Sequence, residues 1–301
     1  MKSSYLACAL ALAATMFAAS ATQAANLVVG GKNFTEQLLL SNMTAQYLRA
    51  KGYEVELKNG LGTTLMRSAQ ESGQLDIVWD YTGTSLIVYN HVEEKLDPEQ
   101  TYQRVKELDA QKGLTWLNES ALNNTYAFAM PRKTADELGI NTLQDLADKI
   151  NQDEQEDKKK RHLVGVDYEF ASRPDGLGPM QDLYGFSLQR SEVKQMDPGL
   201  VYTALRNDQL FAGLTYSSDG RIKGFDLKLL EDDKSYFAAY KATPVVRQDV
   251  LDKNPQLAEQ LNALAAQIDT EKMTELNKRV DIDQEPVSKV AADFLKQAGL
   301  L

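Results

Sequence analysis

The chain has 301 residues, a formal net charge of −10, 43% hydrophobic side chains, one cysteine and two histidines. An acidic chain without basic clusters excludes nucleic acid and anionic membrane surfaces as partners. So few thiols and imidazoles leave neither a disulfide framework nor a Cys-based metal site, and no metal or cofactor is expected.

At the amino end Lys2 precedes an almost unbroken apolar run, Leu6 to Ala19, followed by the small residues around Ala24. This is the pattern of a signal peptide over residues 1–24, too short to span a bilayer. Cys8 lies inside the removed segment and comes too early in the run for lipid attachment. The expected mature protein is therefore soluble, periplasmic and monomeric. Leu27-Val28-Val29 then predicts a strand running into Gly30-Gly31. A helix follows from Thr35 to Lys51, with Leu39, Met43 and Tyr47 recurring every four residues and Gly52 as its stop. Tyr53 to Leu57 alternates as a strand, Thr63 or Thr64 caps a helix ending at Gly73, and Leu75 to Tyr81 is the next strand. That order implies a parallel sheet flanked by helices.

After a helix from Pro98 to Lys112 the pattern restarts. Strands are expected at Asn124 to Met130, Leu163 to Val166, Val193 to Met196 and Phe211 to Tyr216, with a helix from Thr142 whose Asp145 completes a capping box. The charge run Asp153 to Arg161 reads as a solvated loop. From Pro255 onward the chain reads as helical, with Leu257, Leu261, Leu264 and Ile268 on one stripe.

Leu65 to Tyr81 aligns without gaps on Leu200 to Tyr216, an offset of 135 residues. Leu65/Leu200, Ala69/Ala204, Gln74/Gln209, Leu75/Leu210 and Tyr81/Tyr216 are identical pairs. Two α/β lobes thus each present a tyrosine at the carboxyl end of a strand, where open α/β sheets bind ligands.

Enzyme chemistry finds no footing. His91 and His162 stand in charged surroundings, Gly176-Leu177-Gly178 is too short for a nucleotide loop, and Asp232-Asp233 sits in a polar turn. Binding is better supported. Tyr81, Tyr126, Tyr216 and Tyr240 occur where strands end and the chain changes direction. A ring cage suits a cation that has no N–H to donate, each desolvated contact being worth roughly 1–2 kcal/mol. Lys32, after Gly30-Gly31 and before a helix, and Arg173, on a turn before another helix, are candidates to hold an anionic group.

Gly31-Lys32-Asn33-Phe34-Thr35-Glu36-Gln37, Leu61-Gly62-Thr63-Thr64 and Asp80-Tyr81-Thr82-Gly83-Thr84 resemble the substrate-binding proteins of quaternary-amine ABC importers, the ProX/OpuC type. So do Asn123-Asn124-Thr125-Tyr126-Ala127, Arg173-Pro174-Asp175-Gly176, Tyr216-Ser217-Ser218-Asp219-Gly220 and Pro244-Val245-Val246-Arg247, in the family's order and spacing. The resemblance implies a two-lobed periplasmic binding protein of type II, each lobe a mainly parallel sheet, with two crossovers. Its first lobe would be residues 25–127 plus 241–301 and its second 128–240, hinged near 125–130 and 238–244. It also implies a cage of Tyr81, Tyr126, Tyr216 and Tyr240, a carboxylate held by Lys32, Thr84 and Arg173, and Asn124 as a further contact. The ligand would be glycine betaine, with choline, carnitine or choline-O-sulfate as alternatives, and the partner a membrane permease. Asp80 stands where the family often has Glu, Ser218 where many have Thr, and Phe237 to Tyr240 lacks the family's prolines.

Overall fold

The computed structural model describes residues 26–158 and 160–301, so the expected signal peptide and Cys8 lie outside the described residues. Among the described residues ten strands form the two lobes: β1 Asn26–Lys32, β2 Glu54–Leu61, β3 Ile77–Tyr81, β4 Leu114–Trp116, β5 Tyr126–Pro131, β6 Val164–Val166, β7 Val193–Gln195, β8 Ala212–Tyr216, β9 Leu227–Leu230 and β10 Ala242–Arg247. One sheet has the order β2-β1-β3-β10-β4 and the other β7-β6-β8-β5-β9.

Both sheets are mixed. β1 pairs in parallel with β2 and β3, whereas β10 runs antiparallel between β3 and β4. The second sheet repeats the pattern, with β6 parallel to β7 and β8, and β5 antiparallel between β8 and β9. β5 and β10 are the strands by which the chain arrives from the other lobe. Each enters beside a central strand against its direction, so in each sheet one strand of five opposes the other four, and the expected mainly parallel sheets carry this one reversed strand apiece. The chain passes between lobes in residues 117–125 and 231–241.

β3 sits at a sheet centre and is buried along its whole length, while β2, at the edge, alternates in exposure. The helix Thr35–Ala50 lays Leu39, Leu40, Met43 and Tyr47 on the first sheet. Trp79 on β3 donates to Thr44 Oγ1 of that helix at 2.8 Å, fixing helix to strand where the site begins.

The internal repeat is structural. Helix Thr63–Glu71 and strand Ile77–Tyr81 have the same ends as helix Pro198–Arg206 and strand Ala212–Tyr216 once 135 is added. The equivalence reaches β1 and β6: Val29 pairs with Ile77 and Gly30 with Val78, as Val164 pairs with Ala212 and Gly165 with Gly213. A Cβ on Gly30 would stand 2.6 Å from Leu75, and one on Gly165 2.4 Å from Leu210, so both lobes use a glycine to seat the same leucine. Leu65 and Leu200 are likewise both exposed, at 60% and 55%.

The charged run read as a solvated loop is partly structural. Asp153 is fully buried in the helix Leu143–Glu156 and accepts from Lys149, Lys160 and His162, each at 2.8 Å. Three donors on one carboxylate pin the following loop to the lobe.

Candidate ligand-binding site

A cavity of about 190 Å³ opens between the lobes. Its walls are built from repeat-equivalent positions. Lys32, Asn33 and Phe34 of the first lobe match Asp167, Tyr168 and Glu169 of the second. Gly62 and Thr63 match Asp197 and Pro198, and Tyr81 matches Tyr216. Thr84, Asn124, Tyr126 and Tyr240 complete the lining. Of the residues expected at the site, Lys32, Tyr81, Thr84, Asn124, Tyr126, Tyr216 and Tyr240 therefore converge on one cavity.

The aromatic rings form a continuous chain. Tyr81 stacks on Phe34 at 6.3 Å, and Phe34 stacks on Tyr216 at 5.6 Å with only 4° between planes. Tyr216 lies 5.4 Å from Tyr126, and Tyr126 meets Tyr240 edge-on at 5.1 Å. Tyr126 and Tyr216 are direct cross-strand partners, which places their side chains on one face of the second sheet. Tyr240 rests over the Gly83 backbone, where a Cβ would come within 2.8 Å of its ring. Burial holds all four phenols well above their ordinary value of 10, so they stay protonated, and those of Tyr81, Tyr216 and Tyr240 act as donors. Tyr216 donates to Asp167 at 2.6 Å and Tyr240 to Asp175 at 2.5 Å.

Arg173 does not line the cavity. Its Nε and Nη2 lie 2.7 Å from the two oxygens of Asp175, and its Nη1 lies 3.1 Å from Glu169. The guanidinium packs 5.3 Å from the Tyr126 ring centre and 5.8 Å from that of Tyr240. It braces the rings from behind. Lys32 does reach the cavity wall, its Nζ 2.9 Å from Asp80 Oδ1 and 5.3 Å from the Tyr81 ring centre.

Glu36, on the first turn of the helix Thr35–Ala50, ties these parts together. It accepts from Tyr81 Oη at 2.6 Å, from Asn124 Nδ2 at 2.8 Å and, across the cleft, from Ser218 Oγ at 2.6 Å. Asn277 donates to the Ser218 carbonyl at 3.0 Å. One buried carboxylate thus joins a cavity tyrosine, the first crossover and the second lobe.

The protein-family model that matches residues 25–297 is described as the substrate-binding domain of an ABC-type glycine betaine transport system. The chain belongs to this family. A glycine-betaine-binding protein of Pseudomonas aeruginosa is 52% identical to this binding domain over its full 301 residues, covering 95% of that protein. The carnitine transport binding protein OpuCC of Listeria monocytogenes is 33% identical over 89% of the chain and 85% of its own length. A crystal structure titled as a glycine betaine/carnitine/choline ABC transporter superposes with a TM-score of 0.72 at 29% identity, covering 91% of the binding domain and 99% of that chain.

Sequence reasoning passed over Phe34, Glu36 and Asp167. Phe34 and Glu36 stand inside a motif that had been noted, but nothing local marks their partners. Asp167 carries a usable signal, because the 135-residue offset that matches Tyr81 to Tyr216 matches Lys32 to it.

Burial raises the Glu36 carboxyl above its ordinary 4.5, against the lowering effect of hydrogen bonds from Ser218, Tyr81 and Asn124. A raised folded-state value stabilises the protein fully below the unfolded-state pKa, and that contribution is lost as pH rises through the folded one. Glu36→Gln, which keeps an acceptor and removes the charge, is expected to gain on the wild type as pH rises. Thermal midpoints of the two proteins from pH 4 to pH 8 test this, and a pH-independent difference would refute it.

Proposed function

We propose that the chain is exported to the periplasm, captures a quaternary-ammonium osmoprotectant, glycine betaine foremost, and delivers it as a monomer to the permease of an ABC importer. It binds and releases the ligand unchanged. The observation that carries this reading is the unbroken chain of five rings, Tyr81-Phe34-Tyr216-Tyr126-Tyr240, around one interlobe cavity. Ring faces attract a trimethylammonium group without requiring a hydrogen bond from it. Lys32 and Thr84 on the first-lobe wall would receive the carboxylate, with Asn124 beside them. Arg173 serves from behind by fixing Asp175, and through it Tyr240. The names of the similar proteins point the same way.

A choline-like cation is the second reading, favoured by three carboxylates on the lining, Asp167, Glu169 and Asp197. Isothermal titration of residues 25–301 with glycine betaine and, separately, choline tests the proposal. Saturable one-to-one binding of glycine betaine is the expected result. Tight binding of choline alone would replace the ligand, and no heat from either ligand or from carnitine at millimolar concentration would overturn the reading.

A further inference from the structure

The two lobes present opposite charges at one equivalent position of the cavity. Lys32 and Asp167 are related by the 135-residue repeat, the first closing β1 and the second following β6. Both line the cavity and both are buried, at 4% and 3% exposure. Their surroundings differ. Lys32 is answered by Asp80 at 2.9 Å, so the first-lobe corner is balanced. Asp167 is held by neutral donors, the Phe170 N–H at 2.6 Å and the Tyr216 hydroxyl at 2.6 Å. The arginine of the same loop, Arg173, is already engaged by Asp175 and Glu169. The second-lobe wall therefore carries negative charge in excess: Asp167, Glu169 and Asp175 against one guanidinium, with Asp197 at the rim.

A buried carboxylate without a cationic partner is unfavourable unless something positive is brought to it. The cavity beside Asp167 is where that can happen, because Tyr216, the ring it anchors, is also part of the lining. At the opposite corner the Tyr81 ring already faces the Lys32 ammonium at 5.3 Å, which disfavours a second cation there.

We infer that Asp167 sets the polarity of the site and thereby its choice between a plain cation and a zwitterion. The ammonium end of the ligand lies against the second-lobe rings with Asp167 behind Tyr216. Any anionic end points to Lys32 and Thr84. Asp167 attracts choline with nothing to oppose it, whereas for glycine betaine it attracts one end and repels the other. Removing its charge must then penalise choline more. This deepens the functional reading above and rests on it.

The test is Asp167→Asn, whose one amide oxygen still accepts from the Phe170 N–H while its NH2 can donate to the Tyr216 hydroxyl, with Asp167→Glu as a variant that retains the charge. Dissociation constants for choline and glycine betaine are measured calorimetrically on both variants and the wild type. In the Asn variant choline is expected to weaken about tenfold and glycine betaine by less than about threefold, as a single screened charge acts on a net cation or on a dipole. In the Glu variant the ratio of the two constants stays at its wild-type value. Equal losses for both ligands in Asp167→Asn, or a ratio that moves as far in Asp167→Glu, would make the residue a structural support and overturn the inference. Should Asp167→Asn fail to fold, Tyr216→Phe keeps ring and charge while releasing the carboxylate from its anchor. Its choline-to-betaine preference must not fall below that of the wild type. Binding of neither ligand by the wild type removes the functional reading and this inference together. Binding with an unmoved ratio removes this inference alone.

Discussion

Tyr126→Ala is expected to weaken binding of the proposed quaternary amine by at least about 100-fold, while Tyr126→Phe stays within about threefold of the wild type. Tyr126 is the node of the ring chain. Its ring lies 5.1 Å from Tyr240, 5.4 Å from Tyr216, 5.1 Å from Phe170 and 6.1 Å from Phe237, with Arg173 at 5.3 Å. Deleting it removes one face of the cage, worth about 2 kcal/mol when desolvated. It also releases aromatic neighbours held by pairs worth about 0.5–1.5 kcal/mol each. Since about 1.4 kcal/mol is tenfold in affinity, the sum passes two decades. The contacts are made by the ring, so phenylalanine keeps them. Titration calorimetry on both variants, with circular dichroism to show that each is folded, measures the effect. Retention of affinity within tenfold by the alanine variant would show that the other rings suffice.

What was legible in the sequence, and what was not, divides along physical lines. Tyr81 and Tyr216 could be placed because strand and helix periods are local, and the end of a strand fixes where a side chain emerges. The repeat was visible where residues are identical and invisible where only the position is kept, as at Lys32 and Asp167. β10 was missed because Pro244 argues against a central strand, and β4 and β9 are edge strands of three and four residues. Glu36 is a further case. Its burial depends on Ser218, 182 residues away, so no local pattern reveals it. Arg173 is the reverse case: its turn suggested a group facing ligand, and the same turn supplies Asp175 two residues on, whose carboxylate takes the guanidinium fork in this structure. Local competition of this kind precedes any ligand.

Asp109→Ala is expected to give the largest loss of stability, about 3–5 kcal/mol, as for other buried pairs deprived of one partner. Asp109 is fully buried near the end of the helix Pro98–Ala110 and serves five donors. The Arg67 fork reaches both its oxygens at 2.7 Å, Trp116 Nε1 donates at 2.7 Å, and Ser85 Oγ and Asn90 Nδ2 at 2.9 Å each. Burial alone would raise its carboxyl, but the Arg67 guanidinium, Asn90 and Trp116 hold it below the ordinary 3.8. A lowered folded-state value contributes stability above the unfolded-state pKa, lost as pH falls through the folded one, so the deficit of the variant is greatest at neutral pH. Alanine strands the buried Arg67 guanidinium, with Glu71 at 2.6 Å as its remaining hydrogen-bond partner, and three further donors, on Trp116, Ser85 and Asn90. A deficit of this size corresponds to a fall of roughly 10 °C in the thermal midpoint. Asp109→Asn should recover little of it, since an amide presents N–H groups to an arginine. Ser85 opens the π-helical turn Ser85–Tyr89 that follows Tyr81 and Thr84, so the same carboxylate braces the wall of the cavity from below. Tyr81 remains held by Glu36, however, and the ring chain does not pass through Asp109. Binding measured well below the midpoint should therefore suffer far less than stability. A midpoint within about 3 °C of the wild type, roughly 1 kcal/mol, would show that Arg67 finds another partner.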